Sequence, residues 1–243
     1  MTSIPFRRLL LVETRKIFDT RGGRILTAVL VALTVASVVG RGLVSGPRLF
    51  TLVGTAGIGF GTLLPVLAIL SVTGEWSHRT ALTTFTLEPR RARVLAAKFL
   101  PPLAVTVLAA LFALLVAVPT TAAVAAVRHA PADWRVSLLS LLGWVATLVL
   151  LTAMGSALGA LSLNAPVAIV VCLTNTILWN VVGRLGEVGR FLAEWFDLGA
   201  TTAPLASGAM MGGDAVRLAT SILLWIALPA VLGTLRVTRA ELG

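Results

Sequence analysis

Six long apolar runs constrain this chain more than any other feature. They fall near Ile25–Val44, Thr51–Thr73, Phe99–Val127, Leu138–Ser162, Ala165–Gly183 and Leu218–Val237. About 20 residues suffice to cross a bilayer as a helix, and each run has roughly 19 or more. Inside lipid the backbone must satisfy its own hydrogen bonds, so runs of this length predict helices. Composition closes off the soluble alternative. Hydrophobic residues make up 57% of the chain and charged residues 12%, against roughly 25% charged in soluble domains. A soluble domain of 243 residues has nowhere to put so much apolar surface. The expected fold is an all-α membrane protein with six transmembrane helices. An amphipathic interfacial helix and hinge (1–24) precedes the transmembrane domain (25–237), and a tail (238–243) follows it. Within the domain, 74–98 forms a charged loop and 184–217 a re-entrant-like external segment.

The formal net charge of +10 would point to nucleic acid in a soluble protein. Here the basic residues flank the spans, where they face anionic headgroups, and no aromatic-rich basic stripe accompanies them. No nucleic-acid partner is expected. With the N-terminus in the cytoplasm, thirteen of the 20 lysines and arginines lie inside and seven outside, which favours both termini in. The N-terminus does not read as a cleavable signal peptide, because roughly two dozen polar and basic residues precede a run long enough to span. Cys172 is the single cysteine and sits inside an apolar run. It can form no intrachain disulfide and packs as a small hydrophobe.

The stretch Gly74–Lys98 is a dense charged island between the second and third runs, carrying Glu75, His78, Arg79, Glu88, Arg90, Arg91, Arg93 and Lys98. A loop pinned at both ends to membrane spans must lie on a membrane face, and its arginines place it inside. Trp76–Phe85 offers one apolar face with His78 and Arg79 at its rim. Pro89 then suits the first position of a new helix. Arg90, Arg91 and Arg93 either hold that restart at anionic headgroups or dock a partner.

At 100° per residue, Phe6, Leu9, Leu10 and Ile17 share one arc of an N-terminal helix, with Arg8, Val12, Arg15 and Lys16 on the other side. Such a helix can lie along the inner headgroup plane. Glu13 projects from the middle of the apolar arc. Either it pairs with a basic residue of another inner segment, or the helix is shallow and Glu13 reaches water. Arg21-Gly22-Gly23-Arg24 makes a positive hinge into the first span.

Gly57-x-x-x-Gly61 in the second span, and Gly155 with Gly159 in the fourth, allow close helix contact, within one chain or across a dimer. The third run carries Pro101 and Pro102 in an opening turn, where a missing N–H is tolerated. Pro119 kinks that span or marks its outer end. The fifth span is the most polar. Cys172, Asn175, Thr176, Trp179, Asn180 and Gly183 form a stripe that hydrogen-bonds a neighbouring helix, lines a path or meets another subunit. The segment Arg184–Arg217 mixes Phe191, Leu192, Trp195, Phe196 and Leu198 with charges, followed by a small apolar stretch broken at Pro204. It anchors at the outer headgroups, or forms two short helices dipping back to membrane depth.

Several chemistries lack their residues. No Walker-type loop is present, and the glycine run of the second span is followed by no Lys-Ser or Lys-Thr. His78 and His129 fall on opposite membrane faces, so they share no metal site. Ser156 has no histidine partner at depth. No charge sits centrally in a span, as it does in typical proton-coupled carriers. No catalytic residue and no metal site are expected.

The segment GEWSHRTALTTFTLEPRRARVLAAKFL resembles the loop after the second span of ABC-2 type transporter permeases. The matching residues are Gly74, Glu75, Thr80, Leu87, Pro89, Arg91 and Lys98, with Arg79 where a glycine is usual. The basic amphipathic N-terminus, the six spans and the long segment before the last span extend the similarity over nearly the whole chain.

That resemblance implies a non-catalytic subunit of a bacterial ABC exporter in the cytoplasmic membrane, surrounded by lipid. It works as a dimer with a second copy or a paralogue. A separate cytoplasmic ATPase subunit holds ATP and Mg, and this chain binds neither. The loop after the second span then forms a coupling helix, with Glu75, Trp76, His78, Arg79, Thr80, Glu88, Pro89 and Arg91 as its contact residues. Glu13, Arg15 and Lys16 of the interfacial helix support that interface, and Glu75 pairs with an arginine of that helix or with the ATPase. Thr55, Thr62, Asn175, Trp179 and Asn180 line the translocation path. Phe191, Trp195 and Phe196 belong to an external gate. The apolar walls favour efflux of an amphipathic or lipid-like substrate. The alternatives are a membrane scaffold or sensor subunit, and a stand-alone six-helix carrier or channel.

Overall fold

A computed structural model of the chain describes residues 5–77 and 90–239. The described residues are helical throughout their ordered elements. They form α1 (Phe6–Asp19), α2 (Arg21–Ser45), α3 (Leu49–Ser77), α4 (Arg91–Arg128), α5 (Leu138–Ser162), α6 (Ala165–Val182), α7 (Gly186–Phe196), α8 (Leu198–Ser207), α9 (Gly212–Ile222) and α10 (Leu228–Arg239). A π-helical turn, Leu223–Ala227, joins α9 to α10 without a break. Six helices are long and apolar enough to cross a membrane: α2, α3, α4, α5, α6 and the continuous α9–α10 unit. The chain is therefore read as a multi-pass membrane protein.

Local chemistry sets the helix ends. Thr20 caps α2 by accepting the Gly23 N–H at 3.1 Å, and Asn164 caps α6 by accepting the Val167 N–H at 3.1 Å. A polar side chain at this position satisfies one of the orphan donors of a first helical turn. α5 ends on Leu163, whose φ of 52° turns the chain out of the helix.

α3 is the central helix and packs against α2, α4, α5 and α6. One cluster joins Val38 of α2, Leu52, Phe60 and Leu64 of α3, Ala110 and Ala113 of α4, and Trp144 and Leu148 of α5. A second joins Ile69 of α3, Met154 and Leu158 of α5, Ala168 and Cys172 of α6, and Leu198 of α8. The α3–α5 seam explains both glycine pairs. A Cβ on Gly57 would meet the Trp144 Nε1 at 2.8 Å, and one on Gly155 would meet the Pro65 carbonyl oxygen at 2.5 Å. Gly61 faces Leu151, and Gly159 faces Ile69 and Val72. Gly57 and Gly155 in particular thus let two helices of the same chain approach closely.

Three sequence expectations about proline need correction. α4 begins at Arg91, so Pro101 and Pro102 lie well inside it rather than in its first turn. Both are buried, and protein packing compensates the lost N–H donors. Pro119 does not end the helix either, because α4 runs on to Arg128. Pro204 is not a breaker: it sits inside α8, which ends instead at Gly208 with φ +71°.

Loops at the far end from α1 are stitched together. Leu49 N donates to Asp133 O at 3.0 Å and Asp133 N donates to Pro47 O at 2.8 Å. Arg128 adds a guanidinium bond to the Leu43 carbonyl. At the α1 end, Arg91 Nη1 donates to Val237 O at 2.8 Å, and Arg236 Nη1 to Leu161 O at 2.9 Å. These bonds hold α4, α5 and α10 together beside the charged loop.

Candidate functional site

Among the described residues, a network of four ionic side chains from three helices, three of them buried, joins the two ends of the charged segment. Glu13 and Lys16 come from α1, Glu75 from the last turns of α3, and Lys98 from the second turn of α4. Lys98 Nζ lies 2.9 Å from Glu13 Oε2 and 3.1 Å from Glu75 Oε1. Lys16 Nζ lies 2.6 Å from Glu13 Oε1 and 2.7 Å from the same Glu75 Oε1. Each lysine therefore bridges both carboxylates, and the four formal charges cancel.

Burial makes this arrangement informative. Lys98 is 0% exposed, Glu13 4% and Glu75 7%. Burying one such charge alone costs several kcal/mol (order of magnitude), so buried charges occur paired and hydrogen-bonded. Burial alone would lower the Lys16 pKa, yet hydrogen bonds and charge from Glu13 and Glu75 outweigh it and raise it above 10.5. Lys16 therefore stays protonated at neutral pH.

The alternatives for Glu13 are now decided. It faces the bundle and pairs with Lys98, a basic residue of another segment, rather than reaching water. Glu75 does pair with the N-terminal helix, but through Lys16 and not through an arginine. Arg15 is exposed on the opposite side of α1. Lys98 is not among the expected coupling residues. It reads as a positive flank of a span starting at Phe99, whereas α4 starts at Arg91 and carries Lys98 into the protein. Glu13, misplaced on an apolar arc, was the available signal that a buried cation had to exist.

Of the other loop residues, Trp76 belongs to the last turn of α3, half-buried against Val94, Leu95 and Val237. Arg91 opens α4. His78, Arg79, Thr80, Glu88 and Pro89 lie outside the described residues.

The residues expected to line a path do not converge on one cavity. Thr55 borders a groove of about 230 Å³ between α2 and α3, with Thr34, Ser37 and Phe60. Thr62 is exposed on α3. Asn175, Trp179 and Asn180 are on α6 and none of them lines that groove. Asn175 Oδ1 and Trp179 Nε1 are buried without a hydrogen-bond partner, whereas Asn180 donates to the Thr176 carbonyl at 2.8 Å.

The segment after α6 folds into two short helices. Phe191 and Trp195 of α7 stack at a tilt with centroids 5.9 Å apart. Arg217 of α9 lies 5.8 Å over the Trp195 ring and 3.6 Å from Glu194. Trp225 Nε1 donates to the Phe196 carbonyl at 2.7 Å. α8 runs along α5: Ser140 Oγ donates to Ser207 O at 2.9 Å, Thr147 Oγ1 reaches Thr202 O at 3.4 Å, and Gly143 lies under the Leu205 carbonyl. Among the described residues, no three His, Cys, Asp or Glu side chains gather as a metal site. Glu13 and Glu75 approach each other, but lysines engage both. No family model matches the chain, and no curated protein is significantly similar to it.

Proposed function

We propose that this chain is the permease subunit of an ATP-driven ABC exporter in a bacterial cytoplasmic membrane. It forms the transmembrane path and couples ATP hydrolysis on a separate ATPase subunit to outward movement of an amphipathic or lipid-like substrate. α1 lies in the inner headgroup plane, both termini are cytoplasmic, and a second permease copy or paralogue completes the path. α7 and α8 form the external gate.

One observation carries the reading. The charged segment leaves α3 two residues after Glu75 and re-joins the bundle at α4, whose second turn holds Lys98. The four-residue network locks α3, α4 and α1 together at that point. A push on the loop is therefore delivered to two spanning helices and the interfacial helix at once, as a coupling element requires. Bistable packed elements are what turn such a local push into a larger rearrangement.

The test is a mild-detergent pull-down of the tagged chain from its native membranes, with an ATPase assay and mass spectrometry of the eluate. Recovery of a cassette ATPase, lost when Trp76–Leu87 is replaced by a Gly/Ser linker that preserves folding, is the expected outcome. A well-folded chain that brings down no ATPase overturns the proposal. Transport by the purified chain alone in liposomes would instead establish a stand-alone carrier.

A further inference from the structure

A cavity of about 510 Å³ opens beside the ionic network, between the α1–α2 hinge and the last three turns of α3. Its size is in the range of ligand pockets, roughly 300–1,000 Å³. Its lining changes character along its length. The part toward the middle of the spans is Leu26, Leu67 and Leu70, and the part toward the loop end is Lys16, Thr20, Glu75 and Ser77 beside Ile17, with the Glu75 charge answered by Lys16 and Lys98. From Leu67 to Ser77 α3 rises by about 15 Å, so the change from apolar to polar occurs over the depth at which a bilayer passes from acyl chain to headgroup.

Lys16 lines the opening with its side chain 43% exposed. Arg21 and Arg24 do not line the cavity themselves, but both are exposed and flank Gly22 and Gly23, which do. Asp19 is the nearest exposed counter-charge on that stretch of chain. Lys16 and Lys98 are shared by the same two carboxylates, but Lys98 has no exposed surface whereas Lys16 keeps 43% of its side chain exposed. The cations exposed near the opening are therefore Lys16, Arg21 and Arg24.

We propose that this cavity is a binding site for one anionic phospholipid. An acyl chain lies against Leu26, Leu67 and Leu70, and the phosphate sits at the mouth near Lys16, Arg21 and Arg24. The match of polarity with depth and the charge of the rim together select a lipid over a water-soluble ligand, and an anionic headgroup over a zwitterionic one. The site borders Glu75 and Lys16, so a bound lipid would brace the hinge between α1 and α2 beside the ionic network. The assignment does not depend on the transporter reading.

The cavity offers a clean way to fill it. Gly74 lines it, and a Cβ built there meets nothing within 4 Å. Gly74→Leu therefore adds a side chain in the cavity without removing a charged residue, and leucine is the better helix former. The purified full-length chain would be released from detergent micelles supplemented with equal phosphatidylglycerol and phosphatidylcholine of the same acyl chains, and retained lipid counted by native mass spectrometry. One phosphatidylglycerol per chain is expected, preferred by about fivefold or more, the preference that one basic residue near the headgroup supplies. Gly74→Leu should cut that retention by about fivefold or more, while Gly40→Leu, equally open but at the far end of α2, should not. If Gly74→Leu fails to fold, Leu70→Trp fills the same cavity from below. No retained lipid, equal retention of both lipids, or retention indifferent to the cavity-filling change in a folded protein would each overturn the site.

Discussion

Lys98 Nζ and Glu13 Oε2 stand 2.9 Å apart across 85 residues of sequence, and Lys98 has no solvent-exposed surface at all. The pair joins α1 to the spanning helix α4 by a contact that only one register satisfies. Replaced by well-packed apolar groups, such a contact is often no less stable, so its value lies in fixing geometry. Apolar contacts alone would let α1 slide at little cost. It cannot slide without separating Glu13 from Lys98 and Lys16 from Glu75.

Breaking this network from one side should therefore be severe. Lys98→Met leaves Glu13 and Glu75 buried with Lys16 as the remaining lysine of the network, and Glu13→Ala removes one of the two carboxylates that hold Lys98. Losing one partner of a buried pair costs about 3–5 kcal/mol. Each single change should lower the thermal midpoint in detergent markedly, and Glu13→Ala with Lys98→Met together should lose less than the sum of the singles. Strict additivity in the double-mutant cycle would mean that the two side chains do not interact.

Lys16 gives the network a pH signature. Its folded pKa is raised above 10.5 by Glu13 and Glu75, despite burial. The stability that its charge contributes is thus complete below about pH 10.5 and is lost as pH rises through the higher folded value. Wild type should be more stable than Lys16→Gln at neutral pH, with a difference that holds steady to about pH 10 and shrinks above it. A difference that shrinks instead between pH 5 and 8 would assign the effect to another group.

Hydropathy alone delivered the six spanning helices, because lipid leaves the backbone no other way to satisfy itself. The run Leu138–Ser162 coincides with α5 at both ends. Helix ends were less legible where polar residues continue a helix past the apolar run, as Ser77 does for α3 and Arg91 for α4. That extension is what hid Lys98. Glu13 is visible as an acidic residue on an apolar arc and Glu75 as part of the charged island, but their shared cations depend on how three helices pack, which periodicity does not encode. The prolines misled for a related reason: Pro101, Pro102 and Pro204 break a helix in isolation, and neighbouring helices remove that penalty here.

Asp197 separates capping from charge. It sits between α7 and α8 and accepts the Gly199 N–H at 2.9 Å. Burial raises its pKa above 3.8, partly offset by the Gly199 and Ala200 N–H groups. A carboxyl with a raised folded pKa is held at a cost when ionised, and that cost is relieved as pH falls through the raised value. Asp197→Asn keeps the acceptor and drops the charge, so at pH 7 it should match or exceed wild type in stability. The gap between the two should close as pH falls toward 3.8. Asp197→Ala loses the cap and should cost about 1 kcal/mol. A less stable Asn variant at neutral pH would mean that the ionised carboxylate is favoured there.

The glycine pairs make the sharpest contrast between packing inside one chain and packing between chains. A Cβ on Gly155 would lie 2.5 Å from the Pro65 carbonyl oxygen, which is backbone and cannot swing aside, whereas one on Gly61 would meet only the Leu151 Cδ1 at 3.7 Å. Gly155→Ala should therefore force α3 and α5 apart and destabilise by about 1–3 kcal/mol. Gly61→Ala, at ordinary contact distance and with better helix propensity, should be neutral or stabilising by up to about 1 kcal/mol. Thermal unfolding in detergent reads both. If the fourth-span glycines served a dimer instead, Gly155→Ala would leave the midpoint unchanged and shift the oligomeric state seen by size-exclusion chromatography with light scattering. The Pro65 contact predicts the reverse, because the space that Gly155 leaves open is already filled by the chain's own α3.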